Sequence, residues 1–353
     1  MTVTDRRPNR SASRNLWKWA AIAPPLLFIA LVAGTAMGET SIPMDVVLKV
    51  LSNKIFGAAY PVDRIDSGII WSYRLARAVV AACCGAGLAL SGVVLQALLR
   101  NSLADPYLLG ISAGASTGAV AVAVMGLGGG LISMSMGAFA GAILAFAFVA
   151  MLASLAGGGT GLRAAGVIVL AGIAGSQLFN ALTAFLIAKS ANAEQARGIM
   201  FWLMGNLSGV RWADTVTVVP AALFGLLVCI LNIRALDAFT FGSDSAASLG
   251  IAVKRVQFGL IGVAALMTAA MVSITGSIGF VGLVIPHAMR LVVGTRHRAL
   301  IPASALAGAI FLIMADIIAR IVIPGQVLPI GVVTALVGAP VFALILIGRR
   351  AAV

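Results

Sequence analysis

Residues 107 to 162 decide the fold. They open Tyr107-Leu108-Leu109-Gly110-Ile111-Ser112-Ala113-Gly114-Ala115-Ser116-Thr117-Gly118, pass through Gly126-Leu127-Gly128-Gly129-Gly130, and close on Gly157-Gly158-Gly159-Thr160-Gly161-Leu162. Not one residue in that run is charged. A segment so long and so apolar has no means of covering a water-facing surface. At about 1.5 Å per helical residue it suffices for two passes through about 30 Å of hydrocarbon. Gly126–Gly130 supplies the turn between the two. Lipid offers no partner to backbone N–H and C=O groups, so each pass has to satisfy them internally, as a helix does.

The flanking sequence repeats the pattern. Over 353 residues, 61% are hydrophobic and only 10% charged, and the mean hydropathy is +1.08. That balance excludes an ordinary water-soluble domain. Uncharged stretches place further spans at Trp19–Gly38, Ala78–Leu99, Ala164–Ala188, Thr215–Ile233, Ala299–Ala315 and Gly331–Gly348. Val256–Met289 reads as two helices broken at Thr275-Gly276-Ser277-Ile278-Gly279, the second running on to Val293. The expectation is an all-α polytopic membrane bundle of about ten transmembrane helices, forming a single domain over residues 1–353.

The net charge of +13 sits in short gaps between apolar runs, which is a topology signal and not a nucleic-acid-binding face. Placing the N-terminus inside assigns Arg100, Arg163, Arg234, Lys254, Arg255, Arg296, Arg298, Arg349 and Arg350 to the cytoplasm, together with the basic tail 1–18. Both termini are then cytoplasmic. The tail also resembles the n-region of a signal peptide. The length of Trp19–Gly38 argues for a retained helix, and Ala36-Met37-Gly38 keeps cleavage open as the alternative. Residues 39–77 form an outer loop, in which Ser41 is a candidate cap for a short helix over Pro43–Leu51 lying along the membrane surface. Cys83, Cys84 and Cys229 fall inside apolar runs and read as small buried side chains. No zinc-ligand spacing occurs, and His287 and His297 are too few for a metal cage, so neither metal nor cofactor is expected.

Four segments carry a resemblance. The first is Arg74-Leu75-Ala76-Arg77, then Gly85-Ala86-Gly87-Leu88-Ala89-Leu90-Ser91-Gly92 and Leu95-Gln96-Ala97-Leu98-Leu99-Arg100-Asn101-Ser102-Leu103-Ala104-Asp105-Pro106-Tyr107. The others are Phe201-Trp202-Leu203-Met204-Gly205-Asn206-Leu207, Gly279-Phe280-Val281-Gly282-Leu283-Val284-Ile285-Pro286-His287, and Leu328-Pro329-Ile330-Gly331 running to Gly338-Ala339-Pro340. In this order they resemble the FecCD family, the permeases of ABC importers for iron siderophores, haem and vitamin B12. Ala76 and Ser102 stand where that family usually has proline.

The resemblance implies an inner-membrane permease working as a pair of copies, with two cytoplasmic ATPases and a periplasmic binding protein. The cargo it implies is an iron chelate, siderophore or haem, with cobalamin as the alternative. It further implies that Arg74, Arg77 and Arg320 receive acidic residues of the binding protein, a task suited to bidentate guanidinium groups. Arg320 can equally pair with Asp316, four residues earlier, and anchor its span. Residues 234–255 become the ATPase coupling segment, through Gly242, Ser243, Asp244, Ala246, Ala247, Leu249 and Gly250. Ser243 would cap a short helix there and Gly250 close it; two glutamates are usual where this chain has Ser243 and Asp244. A plain solvated loop is the other reading.

Asn101, Leu103, Gly158, Gly159 and Thr160 match the inner gate region, although a glycine run also makes a simple turn. Gln177 and Asn180 are polar groups within a span and mark a candidate pathway. His287 follows proline in the resembled family whatever the cargo, so a bundle hydrogen bond is preferred to ligand binding. No phosphate-cradling G-x-x-x-x-G-K-[ST] motif is present, so ATP hydrolysis is expected in partner subunits. A secondary transporter would need ionisable residues mid-span, and an intramembrane enzyme a H-E-x-x-H or Ser-His arrangement.

Overall fold

The bundle turns on a helix buried along nearly all of its length. The computed structural model describes residues 10–127, 130–157, 162–190 and 192–350. Among them, six helices are long and apolar enough to cross a membrane and four shorter ones are apolar, ten in all.

α1 (Arg10–Ala36) leads into α2 (Met44–Phe56) and the short α3 (Arg64–Gly68). A π-helical turn, Ile69–Leu75, joins α3 to α4 (Ala76–Leu98), making one continuous helical run from Arg64 to Leu98. A 3₁₀ turn, Pro106–Leu109, precedes α5 (Ile111–Met125), followed by α6 (Met134–Leu155), α7 (Leu162–Ser190) and α8 (Ala193–Leu203). Next come α9 (Trp212–Leu231), the short pair α10 (Ile233–Phe239) and α11 (Ser243–Ser248), α12 (Val253–Thr275) and α13 (Val281–Val293). The chain ends with α14 (His297–Ile321) and α15 (Ile330–Arg350).

α4 is the centre. It packs on α14, α12, α9 and α13, and small residues set how closely. A Cβ at Gly85 would overlap the Gly308 carbonyl of α14, and one at Gly92 the Gly282 carbonyl of α13. Backbones in such contact gain dispersion energy over many atoms, the principal glue where lipid competes equally for apolar side chains. α6, α7 and α9 instead leave Leu144, Phe185, Leu223 and Phe224 exposed, as suits an outer layer.

The expected break between α12 and α13 is present. α12 ends at Gly276, and α13 begins after Phe280, a non-glycine residue at φ +70°. The break lies at the depth of the middle of α4, because a Cβ on Gly282 would meet the Leu88 carbonyl. Non-helical backbone at that depth persists only inside protein or along a cavity, and here Tyr107 satisfies it. Its Oη donates to the Ile278 carbonyl (2.9 Å) and accepts from the Ile278 N–H (2.8 Å).

Several boundaries differ from expectation. The second span begins before Ala78 and the ninth runs beyond Ala315 to Ile321. Both corrections share a cause: Arg77, Asp316 and Arg320 are buried and paired, so charge does not mark the helix end there. The helix expected over Pro43–Leu51 is longer, Met44–Phe56, and Pro43, not Ser41, is its N-cap, with no side-chain capping hydrogen bond. α8 was not anticipated; it opens with a capping box in which Asn192 and Gln195 satisfy each other's backbone N–H groups.

Candidate functional site

α4 carries two polar assemblies, one at each end, about 33 Å apart for its 23 residues. At its start, three arginines converge. Arg77 reaches Asp316 through Nε and Nη2, both at 2.7 Å to Oδ1. Arg320 binds the other oxygen of the same carboxylate through Nη2 at 3.0 Å. Arg320 also donates to the carbonyls of Met37 (2.6 Å) and Gly34 (3.0 Å). Arg74 donates to the carbonyls of Ala36 (2.8 Å) and Thr40. A helix leaves its last carbonyls without partners and carries its negative pole there. Arg74 and Arg320 therefore close the end of α1, while Asp316 ties α14 to α4.

The three guanidinium groups expected to meet a partner's carboxylates are thus turned inward. Arg74, Arg77 and Arg320 are all buried in this chain, because unpaired carbonyls and Asp316 lie within their reach. The alternative reading of Arg320, paired with Asp316 at the end of its span, describes the observed contact. Around them the surface is aromatic: Trp71 and Trp212 meet at a 38° tilt with ring centroids 5.2 Å apart, the Trp212 indole N–H donates to the Trp71 carbonyl, and Arg211 lies over the Tyr73 ring.

The opposite end of α4 meets the segment 234–255. Gly242, the N-cap of α11 at φ +112°, lies beside the Arg100 guanidinium. Glycine is required there: a side chain at that φ would be strained. Ser243 is consequently the first helical residue and not the cap. Gly250, at φ +79°, follows the helix as expected. The α10–α11 pair buries Ala246, Leu236 and Phe239 inward. Its outer side presents Phe241 at 76% exposure and Leu249 at 72%, with Ala247, Asp244 and Gly250 also exposed. So Ala246 belongs to the bundle, and the outward apolar surface gains Phe241, which the sequence reading left out.

Close to this second end, Gln96 in the last turn of α4 donates to the carbonyls of Gly282 (3.2 Å), Leu283 (3.3 Å) and Ala104 (3.3 Å), and its Oε1 accepts from Arg290. This network stitches α4, α13 and the 100–106 loop together. It was missed although the signal was available: Gln96 is an amide in an apolar run, the criterion that singled out Gln177 and Asn180. Asn101 forms a local turn by accepting from the Leu103 N–H at 2.9 Å, and both side chains are exposed. Gly158, Gly159 and Thr160 lie outside the described residues. A cleft of about 440 Å³ runs beside the α12–α13 break, lined by Asp105, Tyr107, Ser176, Gln177, Phe280 and Leu283 among others. Gln177 faces this cleft; Asn180 is exposed one turn further along α7. His287 is buried in α13.

A model of the FecCD transport family matches residues 26–348. An uncharacterized ABC transporter permease protein of Bacillus subtilis, YvrB, is 37% identical over 331 residues, covering 92% of both chains. The cobalamin import system permease protein BtuC of Halobacterium salinarum is 37% identical, covering 94% of this chain and 92% of its own. The Fe(3+) dicitrate transport system permease protein FecD of Escherichia coli is 34% identical, covering 80% of this chain and 86% of its own. Among solved structures, an inward-facing conformation of a putative metal-chelate type ABC transporter superposes with a TM-score of 0.77 at 29% identity. It covers 95% of this chain and 99% of that one.

Proposed function

The chain belongs to the FecCD transport family, and from that premise we propose that it is the permease subunit of an ABC importer for an iron chelate, a siderophore or haem. The observation that carries the reading is the outward apolar surface of the α10–α11 pair. Phe241, Ala247 and Leu249 stand exposed on a short, well-formed helical unit at one end of the bundle. An apolar tip held on folded backbone calls for a protein partner. An ATP-hydrolysing subunit suits it, since the sequence of this chain contains no G-x-x-x-x-G-K-[ST] motif. On this reading that end and both termini face the cytoplasm, and the arginine end faces outward and receives a binding protein. Two copies of the chain and two ATPase subunits complete the complex.

The cleft at the helix break then belongs to the translocation pathway. Broken helices with irregular backbone facing a cavity are the usual setting of transport sites, and Gln177 and Ser176 supply polar contacts on a largely apolar wall. Cobalamin is the alternative cargo, and the relatives include permeases named for each. Docking of the binding protein at the arginine end is supported by the resemblance alone. The buried state of Arg74, Arg77 and Arg320 leaves exposed Arg211, which lies over the Tyr73 ring, as an accessible guanidinium at that end.

The test is Ala247→Asp. It puts a carboxylate on the outward surface, where a partner would have to bury it unpaired at a cost of several kcal/mol. Thermal stability of the isolated permease should hold, because Ala247 is exposed, while co-purification of the ATPase collapses. Assembly and transport equal to the parent protein would remove α11 from the coupling role.

A further inference from the structure

Asp237, at the end of α10, has no place in the reading above, yet it fastens the coupling pair to the bundle. Its Oδ1 accepts from the backbone N–H of His297 at 2.9 Å and contacts the ring Nδ1 of the same residue at 2.7 Å. His297 opens α14. The N-cap of that helix, Arg296, offers no side-chain capping bond, and its first turn holds no acid. First-turn N–H groups lack intrahelical partners and carry the positive pole of the helix. Asp237 supplies the missing carboxylate from sixty residues earlier in the chain. His297 is buried, so the contact is fixed on the α14 side by packing as well as by hydrogen bonding.

α14 then runs about 36 Å, at 1.5 Å per residue, to the opposite end. There its Asp316 is shared by Arg77 of α4 and Arg320, and Arg320 closes α1. Midway, the Gly85–Gly308 crossing locks α14 against α4 with backbone touching backbone. One stiff pair of helices is therefore held at one end by the coupling segment and at the other by the arginine cluster.

We infer that Asp237 is the positioning residue that makes α14 follow the α10–α11 pair, so that displacement of that pair by a partner reaches the Asp316 cluster. This rests on the importer reading given above. Phe241 and Leu249 provide the contact with the partner; Asp237 converts that contact into movement of the bundle.

The experiment compares Asp237→Ala, Asp237→Glu and His297→Ala with the parent in three measurements. The first is hydrogen exchange of the Leu300 and Ile301 amides in the permease alone. Asp237→Ala should speed exchange there by about fivefold, the factor set by losing one capping contact; unchanged exchange would show that Asp237 does not hold α14. The second is co-purification of the ATPase subunit, which should persist. The third is hydrolysis per assembled complex, with and without the binding protein. Asp237→Ala should lose most of the stimulation by the binding protein while unstimulated hydrolysis changes less than about twofold. His297→Ala, which keeps the backbone bond, should fall between, and Asp237→Glu should restore part of the response. A merely structural residue would lower both rates together. Stimulation equal to the parent, or loss of assembly in Asp237→Ala, would overturn the inference. A parent permease that binds no ATPase would instead overturn the importer reading, while the exchange measurement still decides whether Asp237 holds α14.

Discussion

Asp316 shows how a single carboxylate can organise one end of a membrane protein. It is buried and faces two guanidinium groups; Arg320 also donates to the carbonyls of Gly34 and Met37 at the end of α1, and Arg77 to the Ser208 hydroxyl. Removing its charge leaves Arg77 and Arg320 buried and opposed. Asp316→Asn should destabilise the detergent-solubilised protein by about 3–5 kcal/mol, read as a lowered midpoint in thermal unfolding. Retention of the parent midpoint would mean that water, not Asp316, satisfies those arginines. Close helix contact makes a second prediction. Gly92→Ala drives a methyl into the Gly282 carbonyl, whereas Gly262→Ala meets nothing within 4 Å. The first should cost about 1–3 kcal/mol through overpacking; the second should be neutral or slightly stabilising. Equal effects would contradict the crossing. At this scale the sequence shows less than it does of the helices. It displays that Arg77 and Asp316 exist but not that 239 residues of separation close to a 2.7 Å contact. For the same reason a run of charge-free residues misplaces the helix ends that these side chains bury. Asp237 was invisible in the same way: capping across chain segments leaves no local spacing to read.

Among the elements, α2 has three sides rather than two. At 100° per residue, Met44, Leu48, Leu51 and Ile55 share one sector, Asp45, Lys49, Ser52 and Asn53 a second, and Val46, Val47 and Val50 a third; in the last turn exposed Lys54 projects into the third sector and exposed Phe56 into the second. Val47 and Val50 are buried against Ile70, while Met44, Leu48 and Ile55 are exposed. Seven residues tether each end, to α1 and to the start of the Arg64–Leu98 run. One side on protein, one apolar and one mainly polar is the pattern of a helix lying in the headgroup region, and Trp71, packed against the same Val47–Val50–Ile70 cluster, is of the residue type enriched at that level. A nitroxide on Ile55→Cys should be reached by oxygen and shielded from a water-soluble nickel chelate, and one on Asn53→Cys should show the reverse. Equal nickel access at both positions would lift α2 off the membrane. Elements were the most legible level of the sequence. Hydrophobic runs marked the spans, and the Thr275–Gly279 break was visible because glycine and polar residues interrupt an otherwise apolar stretch. α8 escaped because Glu194, Gln195 and Arg197 read as loop, although its amphipathic face buries Ile199.

The described residues form a set of apolar helices around α4, with a polar cluster at one end, the short α10–α11 pair at the other and a cleft at a helix break between them. The family was legible from motifs because those motifs are the places where backbones touch: Gly85, Gly92, Gly205 and Gly282 all sit against a neighbouring chain segment. Cargo was not legible, since those motifs mark backbone contacts and carry no chemistry specific to a ligand. The central claim is that this chain is a passive permease powered from outside through α11. ATP hydrolysis in proteoliposomes tests it most directly, comparing the purified chain alone, the chain with its ATPase, and the full assembly with a cargo-loaded binding protein. The account predicts no turnover by the chain alone, basal turnover with the ATPase, and stimulation on adding the loaded binding protein. It also predicts that Leu249→Asp abolishes the last two. Sustained hydrolysis by the chain alone, or full stimulation in Leu249→Asp, would contradict it.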